Sequence, residues 1–117
     1  MHEASAAQSI LRIALEEAGR RGASRVTRLS LVVGEATGYM EESLAFFLGE
    51  LSRGSPAEGA ALEVRYVKTG MRCPSCGLEF ERNGFSFDCP RCGSRGELSG
   101  ASGDEFYLDS IEIEGSD

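Results

Sequence analysis

Basic residues are scarce in this chain. Its 117 residues include 12 Lys and Arg against 19 Asp and Glu, a formal net charge of −7. Contacts to nucleic-acid phosphates or to an anionic membrane call for a basic surface, so neither partner is expected. Long apolar runs are also missing, since no stretch approaches the roughly 18 residues that span a bilayer. The opening Met1-His2-Glu3-Ala4-Ser5 has neither the basic region nor the apolar stretch of an export signal, so a soluble cytoplasmic protein is expected. Histidine occurs once. No Ser/His/Asp or Cys/His arrangement for nucleophilic catalysis can be assembled from it, and an enzyme is not expected. What remains is a foldable chain: 41% of residues are apolar, enough for one domain with a small second module.

The four cysteines share one short window, Cys73-Pro74-Ser75-Cys76-Gly77 and Cys89-Pro90-Arg91-Cys92-Gly93. Two residues between paired cysteines let both sulfurs reach one ion. Pro74 and Pro90 set φ for the turn, and Gly77 and Gly93 can take the positive φ that follows it. Backbone N–H groups in such a knuckle can point at the thiolates and stabilise their charge. The segment between Cys76 and Cys89 is long enough for a short hairpin that brings the knuckles face to face. In a reducing compartment this pattern points to metal rather than disulfides. Four thiolates around a tetrahedral ion indicate zinc first and iron second. A pair of redox Cys-x-x-Cys motifs is the competing reading, but neither motif opens a helix.

Around that window the chain reads as helix, strand, helix, strand, metal loop, strand. Ala4, Ala7, Leu11, Ala14, Leu15 and Ala18 recur at helical spacing, and Gly19 and Gly22 end the pattern. Residues 25–34 alternate as a strand. Leu44, Phe47, Leu48 and Leu51 form the face of a second helix, with Glu41 and Glu42 at its positive end. Leu62, Val64 and Tyr66 mark a second strand. Phe106, Leu108, Ile111 and Ile113 mark a last one, with a register change near Asp109. The expected fold class is α+β: a small three-stranded mixed sheet with two helices, plus an inserted zinc-ribbon-like module built on the four cysteines. Residues 1–70 and 98–117 form the α+β domain and 71–97 the metal module. About 27 residues cannot bury a core unaided, so the module should fold only with its ion.

Charge is uneven along the chain. Arg65, Lys68, Arg72, Arg82, Arg91 and Arg95 outnumber Glu79, Glu81 and Asp88 between 65 and 95. That excess either offsets the negative charge of a tetrathiolate zinc site or forms a docking face for an acidic partner. Beyond residue 95 every charged residue is acidic.

The only histidine adjoins the α-amino group. The Met1 amine and the His2 backbone nitrogen close a five-membered chelate ring, and the His2 nitrogen and its Nδ1 close a six-membered one. Three nitrogens can then lie in one plane, as Ni(II) or Cu(II) prefers. The fourth place is open to the Glu3 nitrogen or carboxylate, a water, or a partner's group. A large second residue should also keep Met1 from being removed.

Taken together, Met1-His2-Glu3, Leu31-Val32-Val33-Gly34-Glu35, Glu58-Gly59-Ala60, the two Cys-Pro-x-Cys-Gly knuckles and the ending Gly103-Asp104-Glu105-Phe106-Tyr107 through Ser110-Ile111-Glu112-Ile113-Glu114 resemble the HypA/HybF hydrogenase maturation factors over essentially the full length. The resemblance implies a nickel metallochaperone for [NiFe]-hydrogenase, without turnover of its own. It implies His2 as the nickel ligand with Met1 assisting and Glu3 supporting, and Cys73, Cys76, Cys89 and Cys92 as zinc ligands. It further implies two partners, the GTPase HypB and the hydrogenase large-subunit precursor; some members also serve urease maturation. Relatives that recruit a second histidine from the zinc module have no counterpart here, because His2 stands alone. The competing functions are a zinc-ribbon adaptor that makes protein contacts without nickel transfer, and an electron carrier with iron on the four thiolates.

Overall fold

A computed structural model describes residues 2–82, 86–99 and 103–116. Its elements, in chain order, are α1 (His2–Arg20), β1 (Ala23–Gly34), a 3-10 turn (Glu35–Thr37), α2 (Glu41–Leu51), β2 (Ala61–Val67), β3 (Gly70–Arg72), β4 (Glu79–Glu81), β5 (Glu97–Leu98) and β6 (Phe106–Ser116). They fall into two compact units: residues up to Val32 with Tyr39–Arg65 and Phe106–Asp117, and Val33–Gly38 with Tyr66–Glu105.

The first unit is a three-stranded sheet in the order β2-β1-β6, carrying both helices. Ala7, Ile10, Leu11, Ala14 and Ala18 put a buried stripe on α1, which packs against α2 and β6. The last turn of α1 is braced by Glu17, which accepts from Arg20 at 2.7 Å and Arg21 at 2.8 Å. Gly22 then leaves the helix with φ 69°. Central strand β1 buries Val26 and Leu29, then Leu31 through Gly34 without a break. The expected alternation gives way there because a central strand can be covered on both faces. Each fully buried Val or Leu in this core contributes about 2 kcal/mol.

Ser24 donates to the Glu114 carbonyl and Thr27 to the Glu112 carbonyl, so β6 runs antiparallel to β1. On the other side Val26 donates to the Pro56 carbonyl and Ser30 to the Glu63 carboxylate. Those contacts advance together, the sense of a strand–helix–strand crossover, so the sheet is mixed. Along β6 the half-buried positions pass from Phe106 and Leu108 to Ile111, consistent with the register change expected near Asp109. On α2 the burial is narrower than the apolar pattern: Leu44 and Leu48 are buried, while Leu51 at the last turn is 41% exposed.

The second unit contains a small antiparallel sheet in the order β4-β3-β5, three strands beyond the three expected. Gly70, Met71 and Arg72 face Glu81, Phe80 and Glu79, and Met71 and Arg72 face Leu98 and Glu97. Buried Met71 anchors it. The unit is wider than residues 71–97, because the end of β1 is stitched into it. Gly34 donates to the Glu105 carbonyl and Ala36 to the Gly103 carbonyl, each at 2.6 Å. Glu35 accepts from the Thr69 amide at 3.3 Å and pairs with Arg82 at 3.4 Å. Burial alone would raise the Glu35 pKa, but the Thr69 amide and the Arg82 guanidinium outweigh it and hold the carboxyl below its ordinary value.

Candidate metal centre

Each Cys-Pro-x-Cys-Gly stretch folds as the same knuckle. In the first, the Gly77 amide donates to the Cys73 carbonyl at 2.8 Å, and the Cys73 amide to the Leu78 carbonyl at 2.9 Å. In the second, the Gly93 amide donates to the Cys89 carbonyl at 2.9 Å, and the Cys89 amide to the Ser94 carbonyl at 2.7 Å. Gly77 and Gly93 have φ of 80° and 81°, a conformation that a side chain would strain. The expected glycine role is therefore met at both positions.

The knuckles bring Cys73, Cys76, Cys89 and Cys92 together, with every Sγ within 4.8 Å of the others. Cys73 and Cys92 are 3.4 Å apart, and Cys76 and Cys89 are 3.7 Å apart. All four are free thiols. Metal–sulfur bonds of about 2.3 Å in a tetrahedron put sulfurs about 3.8 Å from one another, so the cluster has the dimensions of a four-thiolate site. It is also closed: four protein sulfurs leave no position for a substrate.

Electrostatics favour the thiolate at Cys76 and Cys92. The Leu78 amide, and after it the Arg91 side chain, pull Cys76 down to about 6. The Ser94 hydroxyl and amide lower Cys92. The Cys76 amide favours the Cys73 thiolate, but burial and the neighbouring Cys92 and Cys76 sulfurs together outweigh it, and Cys73 is raised. The Cys76 amide donates to the Cys73 sulfur at 3.4 Å and the Arg91 amide to the Cys89 sulfur at 3.3 Å, as expected of N–H groups in a knuckle. Arg91 also crosses between the knuckles, its Nη2 donating to the Cys76 carbonyl at 3.0 Å. Spacing gave no hint of that bridge, because the residue between Pro90 and Cys92 carries no signal by itself.

The N-terminal donor set is distinct. Met1 and the His2 side chain lie outside the described residues; the backbone is helical from His2 onward. The first amides of a helix have no intrahelical acceptor, so the His2 and Glu3 nitrogens are not committed to the α1 ladder. Glu3 is committed elsewhere: its Oε2 accepts from the Met40 amide at 2.7 Å. Among the described residues, the four cysteines are the group of ligand-type side chains close enough to share an ion.

Comparison with known proteins bears on both ends of the chain. A family described as "Hydrogenase/urease nickel incorporation, metallochaperone, hypA" matches residues 1–113. The hydrogenase maturation factor HypA of Caldanaerobacter subterraneus subsp. tengcongensis is 42% identical over 114 residues, covering 97% of this chain and 100% of the relative. That of Chlorobium limicola is 38% identical over 117 residues, 100% of both chains. In fold, the chain is similar to the solution structure of the Ni metallochaperone HypA from Helicobacter pylori, with a TM-score of 0.64 and 22% identity over 99% of this chain and 100% of that one. Full-length agreement with the family, in a chain whose cysteines converge on one four-sulfur cluster, places this protein in the HypA family of metallochaperones for hydrogenase and urease nickel incorporation.

Proposed function

We propose that this chain binds Ni(II) as cargo at its N-terminus and delivers it for [NiFe]-hydrogenase maturation, while Cys73, Cys76, Cys89 and Cys92 hold a structural zinc ion. The observation that carries the reading is the family match itself, which begins at residue 1 and so includes the N-terminal donors. The Met1 amine, the His2 nitrogen and His2 Nδ1 supply three in-plane positions. The fourth is left to Glu3, a water or an incoming group, which suits a site that must release its metal. Residues 1–70 and 98–117 carry the nickel function and 71–97 the zinc. The tetrahedral thiolate set would take zinc or iron, and zinc is the ion in this reading because the site's role is to stabilise a small unit without redox chemistry. The partners in this reading are the GTPase HypB and the hydrogenase large-subunit precursor in the cytoplasm, with urease maturation as a second outlet.

Protons compete with nickel for an amine that titrates near 7.7–8 and an imidazole near 6.5 in model compounds. Nickel affinity should therefore fall steadily from about pH 8 to about pH 6. The test is calorimetric nickel titration of untagged, zinc-loaded protein beside His2→Ala and a form extended ahead of Met1. One strong nickel per chain in the native protein, lost in both variants, supports the chelate. Equal binding in all three places nickel elsewhere, and no binding in any leaves a zinc-bearing adaptor as the better account.

A further inference from the structure

Helix α2 begins without a cap of its own. Met40 is its N-cap residue: the Leu44 amide donates to the Met40 carbonyl at 3.0 Å, closing the first helical turn. The Met40 thioether is only a weak acceptor for the orphan amides, and no side-chain cap bond is made there. In a capping box, a Glu or Gln at the third helical position reaches back to the N-cap amide. That position here is Ser43. The Met40 amide is instead bonded by Glu3 Oε2 at 2.7 Å, from the first turn of α1 and 37 residues away in sequence.

We infer that the Glu3 carboxylate is a positioning group, not a nickel ligand: it supplies the half of a capping box that reaches back to the N-cap amide of α2, tethering the start of α1, and with it the metal-binding terminus, to Met40. The inference rests on the proposed N-terminal nickel site and deepens it. The bond length is that of a charge-assisted hydrogen bond, and the negative group lies at the positive end of α2. A carboxylate that moved to nickel would leave the Met40 amide without this acceptor. With the Glu3 carboxylate held on Met40, the fourth nickel position falls to the Glu3 nitrogen, a water, or a donor on the molecule that receives the metal. A terminus held in place with one open coordination position is suited to hand-over by ligand exchange.

Gln and Ala separate the two roles of Glu3. Glu3→Gln keeps an acceptor for Met40 and discards the carboxylate; Glu3→Ala discards both. The experiment measures hydrogen exchange of the Met40 amide and nickel affinity by calorimetry in native, Gln and Ala proteins, all zinc-loaded and untagged. Expected are a nickel affinity within about threefold of native for Gln, and Met40 exchange about fivefold faster for Ala but not for Gln, the size of a typical exposed cap. Native protein saturated with Ni(II) should keep its Met40 protection. The inference is overturned if Gln loses nickel affinity tenfold or more while its Met40 amide stays protected, if nickel deprotects Met40 in the native protein, or if Ala leaves Met40 exchange unchanged. Should native protein bind no nickel at the terminus, the functional proposal fails, and the exchange comparison still decides whether Glu3 caps α2.

Discussion

Gly34 should tolerate no side chain, and the reason is space rather than backbone freedom. Its φ of −75° and ψ of 142° are ordinary extended values. A Cβ built there, however, would overlap the carbonyl of Gly103 and lie 2.6 Å from the Glu105 nitrogen. Backbone atoms cannot rotate out of the way, so residues 103–105 would have to retreat. That retreat breaks the Gly34–Glu105 and Ala36–Gly103 hydrogen bonds, both 2.6 Å. Two net backbone bonds at about 1 kcal/mol each, plus about 1–3 kcal/mol of overpacking, give a cost of about 3–5 kcal/mol. For a domain of this size that corresponds to a fall in melting temperature of about 12–20 °C. Gly38 provides the contrast. It has φ 76° and nothing within 4 Å of a built Cβ, so Ala there meets only backbone strain of about 1 kcal/mol. Circular-dichroism melts of zinc-loaded Gly34→Ala and Gly38→Ala test the ranking. A Gly34→Ala protein that melts within about 3 °C of native, or above Gly38→Ala, would refute the reasoning.

Gly49 lies inside α2 with open space around a built Cβ, so Gly49→Ala should raise the urea midpoint by the equivalent of about 0.5–1 kcal/mol. Glu35 has a depressed pKa in the folded state, so its stabilising contribution is present above the unfolded carboxyl value and disappears as pH falls through the folded one. Glu35→Gln should therefore cost about 1 kcal/mol at pH 7, and the gap from native should narrow as pH falls below the ordinary carboxyl value and close once the folded carboxyl is protonated; a gap constant with pH in denaturant titrations contradicts the assignment. Cys73 is fully buried in the metal cluster, and Cys73→Ala should abolish stoichiometric zinc and speed exchange of the Met71 amide while leaving the helical signal of α1 and α2 in place. Metal analysis that still finds about one tightly held zinc per chain would remove Cys73 from the ligand set.

The sequence made the first unit legible because its signals are local and periodic. Ala7, Leu11, Ala14 and Ala18 announce α1, and Leu44 with Leu48 announce α2, since burial repeats at the helical period. The cysteine knuckles are equally plain, because two-residue spacing and a following glycine encode the turn itself. Strands β3, β4 and β5 are different: two or three residues are too few to show a period, and their pairing is fixed by neighbours distant in the chain. The capture of Val33–Gly38 by the second unit depends on Gly103, Glu105, Thr69 and Arg82, none of them near in sequence. The family resemblance sets Glu3 beside a metal site, whereas its visible contact is with a helix start 37 residues on. A search for capping residues looks three positions ahead, to Ser43, and finds no carboxylate there.

The basic window illustrates how structure chooses between readings that composition leaves level. Six basic residues between 65 and 95 could balance thiolate charge or await an acidic partner. Arg91 is engaged with the Cys76 carbonyl, and its guanidinium is held more strongly protonated by the Cys76 sulfur. Arg82 pairs with Glu35 and lies 5.4 Å from the centre of the Phe87 ring, while Arg95 lies 5.0 Å from the same ring. Cations at these distances gain from the ring quadrupole, so Phe87 binds two arginines of the window to its own unit. Lys68 has an interaction as well. Arg82, Arg91 and Arg95 are thus engaged within the second unit, Arg91 alone of them at the cysteines. An acidic partner that recruited Arg82 or Arg91 would compete with Glu35 or with the Cys76 carbonyl for the same guanidinium, so these two side chains are better accounted for by internal use than by an awaited partner.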